Sequence, residues 1–203
     1  MRSTILVNGE RPFNLADLLY VGAHEGHPGH IAEQVLKETS LIGRAEQQVR
    51  FLPSPPFVLS EGLGLHAQSL IFPDDDAQTW LTGNVLRDRG IEPDGSDFAA
   101  IHQVHNVLFG VRANAALLAA EGRPEAEVAG YLTRWGLLDD QQLPSAVRQL
   151  TVPGGNPYIF AYYYGWDLLG RWLADTTDPA RRVRRVLTEQ LLPSDLTVRR
   201  LTV

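Results

Sequence analysis

The chain has 203 residues, 44% of them hydrophobic, which is enough for one large folded core. Its 18 basic and 24 acidic side chains give a formal net charge of -6, which argues against nucleic acid as a partner. Because cysteine is absent, the sequence excludes disulfides, thiolate nucleophiles and sulfur ligands, and only imidazole and carboxylate groups remain to hold a metal ion.

No targeting or membrane-spanning segment is visible. The first apolar run, residues 5–7, is too short for the core of a signal peptide. Polar side chains interrupt the longest apolar stretch, residues 104–120, which is therefore unsuited to crossing a bilayer. The sequence predicts a cytoplasmic protein with no membrane partner.

Apolar residues recur at helical spacing along the first third of the chain. From Asn14, the predicted N-cap, to residue 40 this spacing is broken only at Pro28-Gly29, which fits one kinked helix or two abutting helices. The proline-rich segment 52–56 is predicted to be an extended connection. Ser60 is then the predicted N-cap of a helix that runs from Glu61 to about residue 71.

The remaining sequence also favours helices, separated by glycine, proline or aspartate. Their predicted bounds are 76–89, 97–121, 124–135, 144–150, 158–174 and 179–190. The tail, residues 191–203, is predicted to be a short strand or an extended arm. With no repeat and no break in composition, we expect residues 1–203 to form a single, mainly α domain with little or no sheet.

Three of the six histidines and one glutamate lie within residues 24–30. A hydrolytic zinc site needs about three protein ligands, an open position, and a carboxylate that takes a proton from water. The adjacent His24 and Glu25 supply a ligand and a base. In the commonest motif the second ligand follows four residues after the first, but that residue is Pro28, which cannot bind a metal.

Spacing leaves the second ligand open between His27 and His30. His27 lies three residues after His24, which keeps both side chains on one helical face. His30 requires the helix to deform at Pro28-Gly29, which proline and glycine permit, and it is slightly preferred.

The predicted third ligand is Glu61, an acidic residue at the start of a neighbouring helix. Its small neighbours Gly62 and Gly64 allow another helix to approach closely. A lone His-Glu pair is usually structural, and a lone glutamate in a first helical turn is usually solvated. It is their combination that favours a metal site.

This pattern resembles a known family. Residues 24–30 match the motif His-Glu-x-x-Pro-Gly-His, and residues 61–66 match Glu-Gly-Trp-Ala-Leu-Tyr at Glu61, Gly62 and Leu65. These are the hallmarks of the bacterial family called domain of unknown function 885, which are helical, zinc-peptidase-like proteins. The resemblance therefore implies a zincin-like, gluzincin-type helical fold.

The resemblance also implies a mechanism. It selects His30 over His27, so that His24, His30 and Glu61 hold Zn²⁺, although manganese, iron or cobalt also suit these ligands. Glu25 then takes the proton of a water that attacks a carbonyl polarised by the metal. The expected function is a zinc peptidase or amidase acting on peptides or small amides.

Further landmarks follow in the family's order. Arg148, Pro153 and Gly154 resemble its Arg-Tyr-x-x-x-Pro-Gly, and Tyr162 with Gly165 resembles its Tyr-x-x-Gly. Tyr162 is therefore the first choice for a donor to a tetrahedral oxyanion. The other candidate donors are His66, His102, His105, Arg148, Tyr163 and Tyr164.

Two of these donors are also assigned to substrate. Arg148 is predicted to pair with a substrate carboxylate or, equally, with an acidic side chain of the protein. His66, which stands where the family has tyrosine, is a second substrate-binding candidate. His102 and His105, three apart on a helix, could bind a metal but are expected to be surface residues. Tyr162, Tyr163 and Tyr164 are more often core residues whose hydroxyls reach the surface.

The chain departs from the family in two ways. An arginine, aspartate and histidine of the family fall on Arg112, Ala116 and Ala120, and the family's members are generally several times longer. The resemblance thus implies either a fragment that lacks an N-terminal half or a reduced relative that closes its cleft with a second subunit. The alternatives in function are a non-catalytic metal-binding scaffold and a helical interaction domain without metal.

Overall fold

The computed structural model describes residues 3–10, 13–49, 51–152 and 156–197. Within these ranges the chain is mainly helical and contains no strand, which confirms the predicted fold class. None of the described helices has the length and apolar character needed to cross a membrane. The α-helices are α1 (Leu18–Glu25), α2 (His30–Ser40), α3 (Pro55–Ile71), α4 (Asp76–Trp80), α5 (Phe98–Ala120), α6 (Glu125–Trp135), α7 (Leu143–Leu150), α8 (Ile159–Ala174), α9 (Pro179–Thr188) and α10 (Pro193–Leu196).

The N-terminal region contains two helices rather than one kinked helix. The Asn14 side chain accepts a hydrogen bond from the Ala16 amide and caps a 3₁₀ turn, Leu15–Asp17, that leads into α1. Residues 26–29 separate α1 from α2.

The predicted start of α3 is wrong. The helix begins at Pro55 with Ser54 as its N-cap residue, so Ser60 lies in the helix interior and is not a cap. Pro55 and Pro56 occupy the first helical turn, where a missing backbone N–H costs nothing because that N–H has no partner in the helix. Glu61 is therefore a buried residue in the middle of α3 rather than a first-turn residue.

Two other predicted elements need correction. The helix expected over 76–89 is α4 followed by a π-helical segment, Leu81–Leu86. In the tail, residues 193–196 form α10 rather than a strand or arm, with Pro193 in the first turn, and residues 198–203 lie outside the described part.

Helices α3 and α8 cross at close backbone contact. A Cβ at Gly62 would lie 2.4 Å from the Gly165 carbonyl oxygen, and one at Gly165 would lie 2.0 Å from the Val58 oxygen. Gly62 therefore allows the close helix approach that the sequence predicted.

The described core has two parts that share α8. One joins α3, α8 and α9 around Leu59, Leu169 and Val186. The other joins α5, α6, α7 and the start of α8 around Val128 and Ile159. Helix α8 thus connects both parts and carries aromatic residues next to α3.

Candidate metal centre

The break between α1 and α2 brings two histidines together. His24 is the penultimate residue of α1, and His30 is the first residue of α2. Gly29 packs directly on the end of α1, where a Cβ would lie 1.9 Å from the His24 carbonyl oxygen. The rings of His24 and His30 meet edge to face with centroids 4.7 Å apart.

Glu61 of α3 lies against both imidazoles. Its Oε2 is 3.5 Å from His24 Nε2, and its Oε1 is 3.4 Å from His30 Nε2. A tetrahedral zinc ion with bonds of about 2.0–2.2 Å holds its ligand atoms about 3.3–3.6 Å apart. Each carboxylate oxygen thus lies at one imidazole nitrogen, at a separation similar to that between zinc ligands, although the three side chains come from three different helices.

The Glu61 carboxylate is buried, with 2% of the residue exposed. Among the described residues its Oε2 is a buried oxygen that has no hydrogen-bond donor, whereas Oε1 accepts a hydrogen bond from the Tyr158 hydroxyl. Burial acts to raise the pKa of Glu61, but His24, His30 and Tyr158 outweigh it and lower the pKa to about 2. Glu61 is thus a buried, ionised carboxylate with one oxygen that accepts no hydrogen bond from the described residues.

Gly64 makes room for His24. A Cβ on Gly64 would lie 2.6 Å from Cε1 and 2.8 Å from Nε2 of the His24 ring. The small residues at 62 and 64 therefore serve different purposes, because Gly62 admits α8 and Gly64 admits the His24 ring.

Glu25 lies on the open side of this cluster. Its Oε1 is 4.0 Å from His24 Nε2, and its side chain is 46% exposed, against 3% for Glu61. The ligand atoms of His24, Glu25 and His30 all lie within 4.8 Å of one another. Glu25 is therefore open to solvent and close enough to act on a water if His24 and His30 held a metal ion.

His27, the rival ligand, is exposed and is not part of the cluster of His24, Glu25 and His30. The bend over residues 26–29 turns His27 outward while bringing His30 back towards α1. This placement agrees with the choice that the resemblance makes.

Three aromatic side chains, Phe109, Tyr158 and Tyr162, border the cluster on the side of α8 and are called the aromatic wall below. The Tyr162 ring stacks on Phe109 at 4.7 Å and meets Tyr158 edge to face at 5.5 Å. Burial and the Glu61 charge raise the pKa of Tyr162 to about 12, so its hydroxyl stays a hydrogen-bond donor. The guanidinium of Arg112 lies 5.6 Å from the centre of the Phe109 ring.

Tyr158 was missed by sequence reasoning. It is the N-cap residue of α8 and lies 97 positions from Glu61, so no local motif connects the two. The available signal was its spacing of four residues before Tyr162, which places both side chains on one face of the start of α8.

A second polar cluster lies beside the site. His102 is buried, not a surface residue as expected, and its Nε2 is 2.9 Å from Asp17 Oδ1. Tyr20 stacks on His102 at 4.5 Å and donates a hydrogen bond to Asn106. His105 is exposed.

The two predicted substrate-binding residues, His66 and Arg148, make no contact with His24, His30 or Glu61 among the contacts of the described residues. His66 donates a hydrogen bond to the Trp166 carbonyl at 2.9 Å and lies against Gly170 of α8. Arg148 is exposed on α7. Pro153 and Gly154, which the resemblance uses, lie outside the described residues.

Comparison with known proteins found no match to this chain among protein-family models, curated proteins or solved structures. The resemblance to the domain of unknown function 885 family therefore stays a prediction from the motifs.

Proposed function

We propose that this protein is a metal-dependent hydrolase of peptide or small amide bonds, with His24, His30 and Glu61 as the ligands of a zinc-type ion and Glu25 as the base. The observation that carries the proposal is the position of Glu61. A buried carboxylate is held between two imidazole Nε2 atoms at 3.5 Å and 3.4 Å, and its Oε2 has no hydrogen-bond donor among the described residues. Buried charges in proteins are normally paired or coordinate a metal.

A zinc ion bound there would polarise the scissile carbonyl and lower the pKa of a water at its open position. Glu25 is suited to accept the proton of the attacking water, since it is half exposed and within 4.8 Å of the histidine ligand atoms. Glu25 would then pass that proton to the leaving nitrogen as the amide bond breaks, which completes hydrolysis. A purely structural zinc site needs no such base.

Tyr162 is the residue best suited to donate a hydrogen bond to the developing oxyanion. Its hydroxyl stays protonated, and its ring meets that of Tyr158, whose hydroxyl donates to Glu61. Tyr158 has a different role, because its hydroxyl is already committed to Glu61. It holds the carboxylate of the third ligand in place.

The experiment compares the wild type with Glu25→Gln, without a histidine tag, on a mixed peptide library read by mass spectrometry. We expect both proteins to bind about one equivalent of zinc and Glu25→Gln to lose about 100- to 10,000-fold in activity, the usual contribution of a general base. Glu38→Gln is the matched control, because it removes the same charge from an exposed glutamate on α2 and should keep full activity.

Two outcomes would overturn the proposal. Less than half an equivalent of zinc, with no gain when zinc is added, would remove the metal site. Equal activity in wild type and Glu25→Gln, or no activity in either at full zinc occupancy, would remove the enzyme and favour a metal-binding scaffold.

A further inference from the structure

A chain of polar side chains leads away from the metal site behind His30. The Nδ1 atom of His30 lies 3.1 Å from Ser60 Oγ, on the opposite side of the ring from Glu61. The Ser60 hydroxyl donates a hydrogen bond to Oε2 of Glu33. The Nζ atom of Lys37 donates to the other oxygen of Glu33 at 2.6 Å.

These three polar side chains behind His30 are all buried. Ser60, Glu33 and Lys37 are 6%, 5% and 7% exposed. Because little of each side chain is exposed, these groups take their hydrogen bonds mainly from one another. The Glu33 carboxylate uses one oxygen for Lys37 of its own helix and the other for Ser60 of α3.

The donors and acceptors fix a direction. Glu33 beside the Lys37 ammonium is a carboxylate and can only accept, so the single hydroxyl proton of Ser60 must point at Glu33. Ser60 then offers a lone pair to His30, and Nδ1 must carry the ring proton to fill it. In the neutral ring, the form that binds a metal, this leaves the lone pair of His30 on Nε2, which is the atom that faces Glu61.

Stability alone gives little reason for this arrangement. A buried ion pair is often no more stabilising than two apolar side chains of similar size, because both charges lose their hydration. The pair does, however, hold a carboxylate at a defined place behind a histidine ligand. Metal-binding histidines commonly give their second N–H to such a carboxylate, directly or through a bridging group.

We propose that Ser60, Glu33 and Lys37 are positioning residues that hold the His30 imidazole in the orientation and tautomer of a metal ligand. This inference rests on the proposed metal site. Ser60 and Glu61 are adjacent in α3, so the same helical turn supplies one ligand and orients another. The sequence had assigned Ser60 to a helix cap, and Glu33 and Lys37 to no role.

The test measures binding of zinc alone by calorimetry, and the visible spectrum of the cobalt-loaded protein, in the full chain. Ser60→Ala removes the link but leaves the Glu33–Lys37 pair intact. We expect it to bind zinc about 10- to 100-fold more weakly, the usual loss for such a partner, and to shift the cobalt bands. Ser60→Thr keeps the hydroxyl and should restore affinity and spectrum.

Glu33→Gln is the second variant and should also weaken zinc binding, while Glu38→Gln, the same change on the exposed face of α2, should not. Zinc affinity and cobalt bands of Ser60→Ala equal to those of the wild type would overturn the inference and leave the metal site standing. A wild type that binds neither ion would overturn the proposed function, and this inference with it.

Discussion

The His24 imidazole occupies space that only a glycine at position 64 leaves free. A Cβ on Gly64 would lie 2.6–2.8 Å from three atoms of the His24 ring, closer than side-chain atoms can approach. We therefore expect Gly64→Ala to push His24 away from Glu61 and to weaken zinc binding, which calorimetry with zinc would measure. Overpacking of this kind also costs about 1–3 kcal/mol of unfolding free energy, which denaturant unfolding of the metal-free protein would measure.

Gly22→Ala is the matched control for that change. Gly22 lies in α1, two residues before His24, and a Cβ there meets no atom within 4 Å. Zinc affinity should be unchanged in Gly22→Ala, because the extra methyl group touches nothing. Gly64→Ala with wild-type zinc affinity would show that the His24 ring is not held where a metal needs it.

At the scale of residues, the sequence predicted those groupings whose members lie close together in the chain. His24, Glu25 and His30 are close in sequence, so their grouping could be predicted from spacing and residue type. The bonds of Tyr158 to Glu61 and of Ser60 to Glu33 join residues 97 and 27 positions apart. Such pairs depend on how helices pack, which no spacing rule contains.

At the scale of elements, the crossing of α3 and α8 positions Glu61, the proposed third ligand. Gly62 follows Glu61 directly and lies against Gly165 of α8, whose own Cβ position is 2.0 Å from the Val58 carbonyl oxygen. Backbone cannot move aside as a flexible side chain can. We expect Gly165→Ala to separate the helices, lower the free energy of unfolding by at least about 1–3 kcal/mol, and weaken zinc binding by shifting Glu61 away from Tyr158.

Gly130→Ala is the control for helix propensity. Gly130 is exposed in α6, where a Cβ meets nothing within 4 Å. There alanine should stabilise the protein by about 0.5–1 kcal/mol, because it restricts the unfolded chain. Chemical denaturation of both variants checks the prediction, and a stabilised Gly165→Ala with normal zinc affinity would contradict it.

Helix existence was predictable, whereas some helix starts were not. Helix α5 was predicted within a residue of its bounds, because Asp97 caps it and accepts a hydrogen bond from the Ala100 amide. The predicted start of α3 is wrong because the proline-rich segment does not exclude a helix: Pro55 and Pro56 both fit its first turn. The π-helical turn over Leu81–Leu86 has no signal in apolar spacing.

At the scale of the whole molecule, the candidate site gathers residues from helices that also pack against one another. The proposed ligands come from α1, α2 and α3, while α8 carries Tyr162 of the aromatic wall and shares in both parts of the core. The fold class followed from helical periodicity throughout the chain. The path of the chain through this bundle did not, because many pairings of amphipathic helices satisfy the same periodicity.

A ligand that connects three helices should stabilise the whole fold when it binds. An ion that binds only the folded state adds about 2.7 kcal/mol at a free concentration 100 times its Kd. For a chain of this size each kcal/mol is worth about 2–4 °C, so zinc should raise the Tm by about 5–11 °C, and a chelator should reverse the rise. His30→Ala should abolish the shift, because it removes a ligand, whereas His27→Ala should keep it, because His27 is exposed and outside the cluster. Differential scanning calorimetry with and without zinc measures all three proteins, and an equal shift in His30→Ala would mean that zinc stabilises the fold from somewhere else.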